Sequence, residues 1–209
     1  GGTALCAAVS CNHVAKVREL VSQKVDVDEV GHDGKTPLSM AVEDGSVDVV
    51  EILLRHQAMV SNPDDHGRTP LHIAIRSFRD HRMYHEGVVQ CYRVCLLLFR
   101  YGADVKAVTN HGATPLHFAA LTSLTAIVSL LLSYNSDVSA RDLKGCTPLM
   151  YHVRRTFDWV DRKTDMIHLL VMHGADLRAT DHDAMTTLHW AVHGDSCVKI
   201  RCLIHAGAD

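Results

Sequence analysis

Sixteen histidines and seven cysteines make this sequence look rich in metal ligands and nucleophiles. Imidazoles and thiolates bind zinc, and a cysteine beside a histidine can attack a carbonyl. The spacing argues against both. No C-x-x-C occurs; Cys91 and Cys95 stand four apart on an expected helix, and Cys197 and Cys202 five apart. Structural zinc sites use closer pairs, repeated or joined to spaced histidines. The cysteines therefore read as small buried hydrophobes of a reducing compartment. No Ser-His-Asp order, phosphate-cradling glycine loop or H-E-x-x-H helix stands out, and "GHDG" and "DHDA" resemble catalytic fragments only by eye. The expectation is a chain without enzyme activity, metal or cofactor.

The other chemistry on offer belongs to cations. Residues 1–66 carry 5 Lys/Arg against 11 Asp/Glu, residues 67–103 carry 6 against 2, and residues 104–209 carry 10 against 11. The local balances are −6, +4 and −1, which sum to the chain's −3. Arg68, Arg76, Arg79 and Arg82 follow one another through the basic middle. Lys144, Arg154 and Arg155 renew the positive charge further on, with Leu121 and Thr122 between. Guanidinium groups grip carboxylates and phosphates through paired donors. These side chains form either a solvated face or a grip on an extended acidic or phosphorylated segment. Nucleic acid fits less well, because the chain is net negative and no aromatic platform interleaves the arginines. No apolar run approaches the roughly 18 residues of a membrane span, so membrane insertion is not expected.

The elements that would hold these cations come from a repeat. The chain aligns on itself as "GGTALCAAV", "GKTPLSMAV", "GRTPLHIAI", "GATPLHFAA", "GCTPLMYHV" and "AMTTLHWAV". Their threonines, Thr3, Thr36, Thr69, Thr114, Thr147 and Thr186, are separated by 33, 33, 45, 33 and 39 residues. Threonine then proline opens a helix: the hydroxyl caps free N–H groups, and proline's missing N–H costs nothing in the first turn. Leu38, Leu71, Leu116, Leu149 and Leu188 then point inward, while Ala41, Ala74, Ala119 and Ala191 let helices approach closely. A second helix follows, as in "VDVVEILLRH" and "LTAIVSLLLSY", and Gly102, Gly174 or Gly207 ends it in a left-handed cap. Lys24, Gln57 and Asn135 replace that glycine in other copies, at about 1 kcal/mol each for Lys and Gln. His152 falls where other copies have alanine, so looser packing is expected there.

A 33-residue period opening on T-P-L-H, with the tails "YGADV", "HGADL" and "AGAD", resembles the ankyrin repeat family over the whole chain. The resemblance implies an all-α fold: an ankyrin-repeat solenoid of helix-turn-helix units joined by short β-hairpin loops. It implies one domain over 1–209, with six repeats starting near 1, 34, 67, 112, 145 and 184 and insertions near 78–90 and 154–165. His72, His117 and His189, the H of T-P-L-H, would act as struts to the hairpin backbone. His56, His173 and His205 end second helices, where imidazole suits the negative end of the dipole. His32, His66, His111 and His182 lie near hairpin tips, about 10 Å apart by helix-packing distances and too far to share a metal. Sequence opening on Gly-Gly and stopping inside "HAGAD", with an apolar last helix, reads as part of a longer array.

Function follows the same resemblance. Ankyrin arrays bind proteins on a concave face of hairpin tips and first helices. The expectation is a monomeric scaffold or adaptor module, cytoplasmic or nuclear, holding another protein. The candidate partner-binding residues are Arg68, Arg76, Arg79, Arg82, His111, Leu121, Lys144, Arg154, Arg155 and Trp159. The alternatives are the substrate-recognition part of a multidomain enzyme, such as a ubiquitin ligase receptor, or the cytoplasmic domain of a channel. Neither insertion is rich in Gly, Ser or Pro, so neither reads as a floppy linker. "EGVVQCYRVCLLLF" keeps helical spacing and is expected to lengthen its helix backward. Phe78, Met83, Tyr84, Phe157 and Trp159 make the insertions a docking edge, a brace between copies, or tolerated decoration.

Overall fold

A computed structural model describes residues 4–31, 34–80, 85–154 and 165–208. Twelve helices are present among them, arranged as six pairs. The chain divides into two compact units, Gly1–Asn110 and His111–Asp209. The first holds α1 (Ala4–Ser10), α2 (Val14–Ser22), α3 (Pro37–Glu43), α4 (Val47–Arg55), α5 (Pro70–Asp80) and α6 (His85–Arg100). The second holds α7 (Pro115–Thr122), α8 (Thr125–Ser133), α9 (Pro148–Val153), α10 (Asp165–Met172), α11 (Thr187–His193) and α12 (Cys197–His205).

Within each unit the first helices pack on first helices and the second on second: α1–α3–α5 and α2–α4–α6, then α7–α9–α11 and α8–α10–α12. Each pair alone leaves its apolar stripe uncovered, and stacking removes it from water. Leu38, Leu53, Leu71 and Leu98 fill the first unit, and Leu116, Leu131, Leu149 and Met166 the second, all essentially inaccessible. Ala41, Ala119 and Ala191 are fully buried. On α12 Leu203 is buried, whereas Val198 and Ile204 are exposed.

Three of the motif threonines, Thr36, Thr147 and Thr186, cap their helices as expected. The Thr36 hydroxyl accepts from the Ser39 N–H at 3.1 Å, with Pro37 in the first turn of α3. The ends of the second helices also follow the sequence. Lys24, Gln57 and Asn135 adopt φ of 59°, 68° and 60°, left-handed like Gly102, Gly174 and Gly207. His173 and His205 set Nδ1 at 2.8 and 2.9 Å from the Leu169 and Arg201 carbonyls of their last turns.

Three expectations need adjustment. The fingers between pairs are tight turns, closed by Asp64 N to Arg68 O at 3.0 Å and Asp142 N to Cys146 O at 3.0 Å. Strand-type pairing among the described residues is confined to a bridge between Thr180 and Thr186. His152 is packed tightly: it is 2% exposed and its Nδ1 lies 3.2 Å from the Ala120 carbonyl, so a hydrogen bond replaces alanine's small size. Cys6, Cys91, Cys95 and Cys146 are buried, but Cys11 and Cys197 are exposed and Cys202 is half-buried. The longer third copy extends both helices: α5 has 11 residues and α6 has 16, against 7 and 9 in α3 and α4.

Candidate partner-binding site

Three of the fingers close on an aspartate three residues before the tip glycine or its replacement. Asp142 is 8% exposed. Its Oδ1 accepts from the Lys144 and Cys146 N–H groups at 2.9 and 2.8 Å. Its Oδ2 accepts from the Tyr151 hydroxyl at 2.8 Å. Asp181, 6% exposed, repeats the arrangement with Asp183 and Met185 N–H groups at 3.0 and 2.9 Å and Trp190 Nε1 at 2.8 Å. In the first unit Asp64 takes the His66 and Arg68 N–H groups at 2.9 Å and Arg68 Nε at 2.6 Å. Burial opposes the charged form of Asp64 and Asp181. Hydrogen bonds outweigh it, from Arg68 and His66 in one case and Met185, Trp190 and Asp183 in the other, and hold both carboxyls below the usual range.

For Asp142 and Asp181 these bonds fold the carboxylate against its own finger, while Lys144 and Arg154 stay exposed. In the second unit His111, Leu121, Asp142, Leu143, Lys144, Tyr151 and Arg154 line a groove of about 510 Å³. Two successive fingers form one wall. The tip of the later finger hangs from the earlier by Leu143 N–H donating to His111 O at 2.9 Å. The floor is Tyr151 on α9, whose ring meets His117 edge-on at 4.9 Å. His117 is the expected strut. Its Nδ1 accepts from the Thr114 N–H at 3.0 Å, which leaves the proton on Nε2 to donate to Cys146 O at 3.1 Å. Burial pushes His117 below its usual pKa, and pushes the Tyr151 hydroxyl up with help from Asp142.

Arg154 closes the C-terminus of α9 and is exposed. Its guanidinium carbon sits 4.2 Å above the Trp190 ring, and Nη1 lies 3.7 Å from Cys146 Sγ. Trp190 in turn stacks on His193 at 5.9 Å. Stacking on an indole holds a cation by the ring's quadrupole and limits the rotamers of a long side chain. Lys144, at the finger tip, is exposed.

The groove therefore brings together four sequence-predicted residues: His111, Leu121, Lys144 and Arg154. Arg68 and Arg76 line a separate cleft of about 70 Å³ in the first unit, with Lys35, Glu43, Asp64, Ile73 and Ser77. There Arg68 is half-buried and paired with Asp64, Lys35 is paired with Glu43, and Arg76 is exposed. Arg79 lies on α5, without a described side chain, while Arg82, Arg155 and Trp159 fall outside the described residues. Sequence reasoning missed Tyr151, Asp142 and Trp190. A signal existed: in both copies an aromatic donor stands nine residues after the finger aspartate. No group of three His, Cys, Asp or Glu among the described residues could hold a metal ion. No described helix is long and apolar enough to cross a membrane.

Comparison with known proteins agrees with this geometry. The family model for ankyrin repeats (3 copies) matches residues 5–90 and 83–181. The putative ankyrin repeat protein YahD of Escherichia coli is 35% identical over 80 residues, 35% of this chain and 40% of that protein. The ankyrin repeat protein nuc-2 of Neurospora crassa is 35% identical over 75 residues, 36% of this chain and 7% of that one. The potassium channel AKT1 of rice, Oryza sativa subsp. indica, is 33% identical over 79 residues, 38% of this chain and 8% of the channel. This chain thus spans well under two thirds of each. Among solved structures, the ankyrin repeat domain of Bcl-3, described as a unique member of the IkappaB protein family, superposes with a TM-score of 0.81. It is 29% identical and covers 100% of this chain and 88% of its own. Motif, helix pairing and these matches agree: the chain belongs to the ankyrin repeat family, whose repeats are protein–protein interaction modules.

Proposed function

We propose that the chain is a non-catalytic recognition module that holds an extended acidic or phosphorylated segment of a partner protein against its fingers and first helices. The observation that carries this reading is the sorting of charge around the groove. Asp142 and Asp181 are buried and bonded within their own fingers, while Lys144 and Arg154 are exposed at the groove or its edge. A segment of negative charge would meet exposed cations there, although residues 104–209 are nearly neutral by count. Arg76 offers a second cation in the first unit's cleft. The reading includes six repeats starting near 1, 34, 67, 112, 145 and 184, a monomeric module inside the cell, and no nucleic-acid ligand.

The test is capture of partners by the purified chain from lysate at about 0.15 M salt. Wild type is compared with a Lys144→Glu, Arg154→Glu double variant whose circular dichroism melt confirms folding. Loss of a defined set of partners on charge reversal is the expected outcome. Phosphatase treatment of the lysate then separates phosphorylated from merely acidic segments. An unchanged partner set would rule out the groove.

A further inference from the structure

The groove is not uniformly charged, and its apolar part has a definite place. Leu143 stands at a finger tip with 68% of its surface exposed. It is held there on both sides. Its N–H is bonded to the finger before it, and its Cγ lies over Gly112, 3.2 Å from where a Cβ on that glycine would sit. Leu121 on α7 and the Tyr151 ring face the same space. Arg154, at the end of the same helix as Tyr151, is fixed on the face of Trp190. A large apolar surface and a positioned guanidinium thus share one concavity. Its volume, about 510 Å³, lies within the range that accepts several connected groups rather than one side chain.

We infer that the groove reads a two-part motif: a large aliphatic or aromatic side chain seated on Leu121, Leu143 and Tyr151, and a carboxylate one or two residues away held by Arg154. This rests on the reading of the groove as the partner surface, and names what it selects. An extended segment places alternate side chains on one face about 6.6–6.8 Å apart, so one strand can present both parts of the motif to the groove. The carboxylate is chosen over a phosphate because Arg154, the cation fixed beside the apolar surface, brings one positive charge, which matches a carboxylate's single negative charge better than the roughly −1.5 to −2 of a phosphate. The apolar subsite supplies selectivity that charge alone lacks. Acidic segments are common, but those without a neighbouring apolar side chain leave Leu143 in water. Trp190 acts as a positioning residue through Arg154.

The experiment is selection of a random twelve-residue phage library on the immobilised chain. Winning peptides are then synthesised and titrated by fluorescence anisotropy. Leu143→Ser is the informative variant, since the exposed side chain can be removed without disturbing the fold. The expected result is a shared apolar residue within two positions of Asp or Glu. Replacing that apolar residue by Ala should weaken binding about tenfold on wild type, and much less on Leu143→Ser. Trp190→Phe should keep most of the affinity and Trp190→Leu should lose it, while both stay folded. Acidic winners without an apolar residue, or an apolar residue whose loss costs the same on both proteins, would overturn the two-part motif but leave the acidic groove standing. Winners whose binding ignores Arg154→Glu, or no winners at all, would overturn both.

Discussion

Ala184 offers the sharpest test of how the fingers are built. It takes the tip position that Gly67, Gly112 and Gly145 take in other copies, and shares their left-handed backbone: φ is 57° at Ala184 against 73°, 75° and 76°. A Cβ in that region costs about 1–2 kcal/mol. Glycine loses about 0.4–1 kcal/mol more entropy than alanine on folding. Ala184→Gly should therefore stabilise the second unit by about 0.5–1 kcal/mol, or roughly 2 °C in melting temperature. The reverse change at Gly112 should be much worse. Its Cβ would meet the Leu143 nitrogen at 2.9 Å and the Asp142 carbonyl carbon at 3.3 Å, both main-chain atoms of the next finger. Left-handed strain plus that overlap gives about 2–4 kcal/mol of destabilisation. Urea unfolding followed by tryptophan fluorescence suits the measurement, because both tryptophans, Trp159 and Trp190, fall in the second unit. A destabilised Ala184→Gly, or a neutral Gly112→Ala, would refute the argument that backbone handedness and finger contact decide the residue at the tip.

Three further outcomes follow from particular side chains. His117 is held neutral by burial, so below its ordinary pKa of about 6.5 the unfolded chain binds the extra proton. Stability should accordingly rise with pH up to that value, with a shallower slope in His117→Asn, measured as urea midpoints from about pH 5 to 7. Asp64 and Asp181 have lowered pKa values, so their contribution should be lost only in stronger acid, as pH falls through and below the ordinary carboxylate range, and mutation to Asn should flatten that separate transition. A thiol reagent should modify Cys11 and Cys197 first, with Cys6, Cys91, Cys95 and Cys146 reacting only on opening of the fold; mass spectrometry of quenched time points would show the order.

The frame of the molecule was legible because a repeated motif reports the same backbone demand several times. Thr36 caps a helix and Gln57 bends left-handed for reasons that their frame positions state before any coordinates. The groove was half legible. Frame position marked His111, Leu121, Lys144 and Arg154 as outward, and they line one space. What a charge count hides is hydrogen bonding. Asp142 and Asp181 enter the sum as anions, yet each is bonded within its own finger and set beneath an aromatic donor. The aromatic beside the arginine was sought at Trp159 in the insertion, whereas Trp190 meets Arg154 from the next first helix. Tyr151 gained a reason only when Asp142 was found to accept its hydroxyl. His152 was read as a misfit because side-chain volume was weighed and the Ala120 carbonyl was not.

Within the second unit the fingers are joined tip to tip by main-chain atoms: Leu143 N–H to His111 O and His182 N–H to Lys144 O, both 2.9 Å. Neither of these two bonds uses a side chain. The residues a partner would touch are therefore separable from the residues that hold successive fingers in register. Substitutions at Leu143, Lys144 and His182 can accumulate while both main-chain bonds persist. A lineage could rewrite what this surface recognises one residue at a time, keeping a folded protein at every step.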